Sequence, residues 1–316
     1  TNGGDVTTNQ GAGLAANGQL ILNNGSTFNN LSTGTFTQAG SIASTVSGGT
    51  FNNRGIVVSA STSGLTFSNA MNNIRDVDNP EGGIMRTTGG SMTLSGPITN
   101  SGSIIAQNGN ITISGTFTNN GGVLDARGGT VTVTSAMTHN GGRLLVDGGT
   151  IAGTAPLTFN TSGGIEGVGT ITQNVTMNAG TYIAPGNSAG SLNFLGSLAM
   201  TDSTLRIEVG GANPGDWDTI TVAGNATMTN VTVDASLING FVPTATGQEF
   251  LFFTAANDLV AEQWTLLAPS NAFNLSIVGN TARLVSTVPE PSSLALLGLC
   301  TGLGLFARKR RTAASI

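Results

Sequence analysis

The chain offers little ionisable chemistry: 16 acids, 11 bases, one His, one Cys and one Tyr in 316 residues. Asp76, Asp78 and Glu81 lie close together, and carboxylates at alternating positions suit a hard cation such as Ca²⁺. The stretch lacks EF-hand spacing, so it reads first as a plain acidic loop, with calcium as the alternative. Asp216 and Asp218 flank Trp217; a structural turn is the first reading there and calcium again the alternative. Asp125 and Asp147 are a third candidate pair. Glycan cleavage needs paired carboxylates, or Ca²⁺ with a base that abstracts a proton. These two sit at different offsets from their nearest Gly, so they are expected to be solvated and not to act together. No Lys precedes Lys309, which removes Lys as a base. His139, in Thr138-His139-Asn140-Gly141-Gly142, fills the slot of Asn119 in Thr118-Asn119-Asn120-Gly121-Gly122 and reads as a corner residue. No catalytic residue and no cofactor are expected.

The elements that carry these residues form a repeat. Glycines preceding an apolar pair recur at Gly55, Gly83, Gly102, Gly122, Gly142, Gly164 and Gly180, at intervals of 28, 19, 20, 20, 22 and 16. Each unit holds three short alternations of apolar and polar residues. Period two means strand, with alternate side chains on opposite faces. Met92 and Leu94 align with Ile111 and Ile113, then with Val131 and Val133. Ile98, Phe117, Met137 and Leu157 align in the third strand, each followed by a Thr. These patterns predict a parallel β-solenoid, with about 20 residues and three strands per rung. Apolar columns fill its axis and Thr columns its outside. The 28-residue interval is a normal unit plus the insertion Ile74 to Glu81, expected to protrude as an acidic loop. The outward Thr columns are ordinary exposed strand residues, with weak glycan contact or ice binding as sharper alternatives.

Composition agrees. Gly numbers 47 and charged residues make up only 9%. Sharp corners need positive φ, which Gly and Asn adopt at low cost. Residues 1–288 hold seven Arg against fifteen acids, near −8, so a nucleic-acid partner, which needs a basic footprint, is excluded. One Cys forbids an intrachain disulfide. The chain begins at Thr1 without Met, which fits a removed signal peptide or a fragment.

From residue 185 Gly thins out and large aromatics appear, both Trp residues among them. This region reads as the last rungs plus a C-terminal β cap that closes the open end. The segments at 183–192 and 205–224 resemble the end of autotransporter-type β-helical passenger domains. No membrane barrel follows in the sequence.

The C-terminus differs again. Val288-Pro289-Glu290-Pro291 breaks any strand. Ser292 to Ala307 is a 16-residue uncharged, Leu- and Gly-rich stretch, just short of the ~17–25 residues that span a bilayer. Arg308, Lys309, Arg310 and Arg311 follow, and by the positive-inside rule they would stay cytoplasmic. Together these parts resemble the PEP-CTERM sorting signal of exported bacterial proteins. The resemblance implies export, and recognition near Pro289, Glu290 and Pro291 by an exosortase, a membrane transpeptidase. It also implies a short hydrophobic helix at the membrane, ended by the basic cluster.

The expected organisation is therefore a solenoid over 1–184, last rungs and cap over 185–287, sorting signal and anchor over 288–311, and a tail at 312–316. The expected function is a non-enzymatic structural or adhesin-like protein of the cell surface or extracellular matrix, with exopolysaccharide as a possible partner class. The alternative is a polysaccharide-active β-helix enzyme, which two or three carboxylates in one groove with a basic neighbour would favour.

Overall fold

The computed structural model describes residues 6–8, 13–15, 19–22, 25–39, 44–76, 78–79, 82–186, 188–269 and 272–287. Within them all 35 elements are β-strands and none is an α-helix. The helix expected at 292–307 lies outside the described residues.

Up to Thr265–Leu267 strands recur in threes and pair in parallel with the equivalent strands of neighbouring rungs. One side is a 12-stranded sheet, running through Thr50–Asn53, Ala70–Asn73, Ile98–Asn100, Phe117–Asn120, Met137–Asn140 and onward to Leu259–Glu262. The other two sides belong to one 23-stranded sheet. They join where Arg143–Gly153 and Gly164–Ile171 run unbroken around the corner. At ~4.8 Å per rung, twelve rungs extend about 50 Å.

The register is the one the alternation predicts. Met71 pairs with Ile98, Ile98 with Phe117, Phe117 with Met137 and Met137 with Leu157. All five are buried, while Thr99 and Thr138 on the opposite face are exposed. Leu65 and Phe67 pair with Met92 and Leu94, so the long interval does hold a normal rung plus an insertion. In the first rungs the axis is aromatic: the rings of Phe28 and Phe51 stack at 4.9 Å and 16°. Burying such a side chain fully contributes about 1.5–3 kcal/mol.

The corners show why Gly comes in pairs. Asn108, Gly128 and Gly148 occupy equivalent places with φ of 55°, 67° and 72°. The Gly that follows is needed for a different reason. A Cβ on Gly109 would lie 2.1 Å from the Gly90 carbonyl, and one on Gly129 2.1 Å from the Gly109 carbonyl. The first position sets the turn and the second lets rungs approach.

Among the described residues, the C-terminal end is closed on one side only. Thr281–Ser286 adds antiparallel to Glu249–Ala255, and Phe273–Val278 adds to Thr281–Ser286. Among the described residues no strand lies beyond Leu259–Glu262 or Thr265–Leu267.

Candidate functional site

His139 lies in the corner position its sequence context indicates. It pairs in register with Asn119 and, on the other side, with Phe159. Asn30, Asn53, Asn73, Asn100 and Asn119 form a buried ladder along one corner, each amide donating to the next carbonyl at 2.8 Å. Most also donate to a backbone carbonyl of the next rung, as Asn100 does to Val123 at 3.2 Å. The amides thus satisfy each other in a buried place. Burial pushes the His139 pKa down to about 3, so the ring is neutral. Sealed from solvent, it cannot exchange protons with a substrate.

The acidic insertion is tied to the body: the Asn79 side chain donates to the Ser32 carbonyl at 2.7 Å. Asp76 Oδ1 accepts the Asp78 N–H at 3.0 Å, a local turn. Glu81 lies outside the described residues.

Asp125 corrects an expectation. It pairs with Leu145, so it and Asp147 are indeed out of register. Yet Asp125 is buried rather than solvated. Arg127, two residues on, turns back over it at 2.8 Å and also reaches Asp147 at 3.5 Å. Desolvation raises the Asp125 pKa, and the Arg127 charge opposes that rise.

Asp216 caps a turn, its Oδ2 accepting the Asn213 N–H at 3.0 Å. Asp218 is a buried staple, accepting the Gly190 and Glu208 N–H groups at 2.8 Å each. Desolvation outweighs these two bonds and raises its pKa to about 7.

The residues that sequence reasoning missed lie beside this staple. A groove of about 260 Å³ on the second side is lined by Glu166, Arg206, Glu208, Asp218 and Asp234. Arg206 pairs in register with Asp234. Its guanidinium lies 3.8 Å above the Tyr182 ring. The opposite face of that ring covers Gly164, where a Cβ would meet ring atoms at 2.3 Å. The Tyr182 hydroxyl donates to Glu166, which also pairs with Arg143 at 3.0 Å. Glu208 Oε2 is buried without a partner. The groove gathers four carboxylates around one Arg in a chain that is only 9% charged. Even so, no group of three or more His, Cys, Asp or Glu among the described residues could hold a metal ion. The sequence signal was the group of six charged residues from Asp202 to Asp234, which period-two alternation does not resolve into one place.

The site residues Pro289, Glu290, Pro291, Arg308, Lys309, Arg310 and Arg311 lie outside the described residues. The last described residue is Thr287, whose N–H donates to the Ala272 carbonyl at 2.9 Å.

By fold, then, this is an all-β protein of long parallel sheets. Residues 287–311 match the PEP-CTERM protein-sorting motif. The motif marks an exported protein, sorted to the cell envelope and processed by an exosortase in association with the membrane. No curated protein matches the chain.

Proposed function

We propose that the chain is a non-enzymatic surface or matrix protein: a parallel β-solenoid rod, similar in its body to autotransporter passengers, delivered by its C-terminal signal. One observation carries this reading. The same parallel pairing repeats rung after rung, from Val6–Thr8 to Leu259–Glu262, directly ahead of a sorting motif. Such a stack is a stiff spacer, with a surface built from Thr, Asn and Ser and suited to architecture, adhesion or contact with exopolysaccharide in a biofilm. Deleting residues 289–311 should move the protein away from the envelope. Unchanged localisation would count against the reading.

A second reading, a polysaccharide-active protein, is favoured by the groove at Glu166, Glu208, Asp218 and Asp234 with Arg206 as basic neighbour. Its excess negative charge suits neutral or amine-bearing glycans and repels acidic ones. Turnover of a neutral polysaccharide by the purified chain, abolished in Glu208→Gln, would replace the structural reading with this one.

A further inference from the structure

We propose that the last rung is the membrane-facing end of the rod, and that its exposed apolar side chains rest on the lipid surface while the C-terminal segment is inserted. The proposal rests on the reading of 292–307 as a membrane segment.

Nine large hydrophobic residues are exposed among the described residues, and six of them fall between 242 and 278. Val260 and Leu267 lie on the two strands with nothing beyond them, 44% and 56% exposed. Ile277 and Val278 end the outer strand of the hairpin on the third side, 38% and 60% exposed. Leu259 and Leu266, at inward positions, are only partly covered, since no further rung follows among the described residues. Among the residues whose burial is described, apolar exposure is thus greatest toward the end from which the chain leaves.

The length of the connector decides what that end meets. The described residues end at Thr287, and the apolar stretch begins at Ser292. Five residue steps reach at most about 18 Å. With the segment inserted, the last rung is held within roughly one rung-width of the headgroups. The contact is a resting one: the free N–H and C=O groups of Leu259–Glu262 and Thr265–Leu267 need water, which the interface supplies and the hydrocarbon core does not.

Trp264, between those two strands, is a native reporter. The full-length chain carrying Trp217→Phe would be reconstituted in phosphatidylcholine vesicles with brominated acyl chains. Trp264 emission should fall about twofold against unbrominated vesicles, as expected for an indole at the interface. The quenching should disappear in a Val260→Ser/Leu267→Ser variant, and weaken when a flexible Gly-Ser insert follows Thr287. Circular dichroism of the variants checks the fold. Unquenched Trp264 in a chain that resists carbonate extraction would overturn the proposal while leaving the anchor intact. The same result with a dimer by light scattering would assign the end to a second copy instead. Carbonate extraction of the chain would overturn the anchor reading, and this proposal with it.

Discussion

The Asn119 amide donates to Nδ1 of His139 at 3.1 Å, and there the buried asparagine ladder stops. The next residue in the column is Phe159, whose ring stacks on the imidazole at 4.2 Å and 11°. His139 is the adapter: one edge accepts a hydrogen bond from the polar ladder and one face packs on the apolar column that follows. Burial keeps the ring neutral, and the Asn119 donor selects the tautomer that carries its proton on Nε2 and leaves Nδ1 free to accept.

The ladder should be sensitive in its middle. Asn100→Ala strands the Asn73 donor and the Asn119 acceptor, with an expected loss of about 3 kcal/mol. Thr118→Ala, on the outer face of the neighbouring rung, should stay within about 0.5 kcal/mol. Denaturant unfolding of the two variants measures the difference.

The paired glycines should separate by role. Gly128→Asn puts into the corner the residue type that Asn108 already supplies at positive φ, and should cost under ~1 kcal/mol. Gly109→Ala drives a methyl into a backbone carbonyl that cannot rotate away, and should cost about 2–3 kcal/mol. Equal melting temperatures for the two would contradict the division.

Arg127 should matter through the carboxylate it covers. Arg127→Leu leaves Asp125 buried and unpaired, and about 2 kcal/mol is expected because Arg127 itself is half-exposed. Adding Asp125→Asn should restore most of that loss. A double variant no better than Arg127→Leu would show that the ion pair is not the cause.

Two buried groups tilt the pH profile in opposite senses. The folded pKa of His139 lies near 3, below the usual 6.5. Below pH ~6.5 the unfolded chain takes up a proton that the fold refuses, so stability falls toward pH 3, by up to ~1.4 kcal/mol per pH unit. Asp218 is raised to about 7 from 3.8. Its contribution is fully present below pH ~4 and lost as pH rises through about 7. Between pH ~4 and ~6.5 the two slopes oppose each other, so His139→Asn should leave stability falling as pH rises and Asp218→Asn should leave it falling as pH drops. Unfolding midpoints between pH 4 and 7.5 test both.

The sequence by itself determined whatever repeats locally. Alternation fixed the inward columns of Ile98, Phe117, Met137 and Leu157, comparison of repeats the corner place of His139 and the insertion at 74–81, and a contiguous motif the sorting segment. Each depends on neighbours within one rung or on comparing adjacent rungs of similar length. Only the tertiary structure decided which distant charges meet. Glu166, Arg206 and Asp234 lie on rungs of unequal length, so their shared groove follows from strand register and from the Asp218 staple. Burial was decided there too: Asp125 is covered by an arginine that turns back over it, and a side-chain path of that kind leaves no period in the sequence.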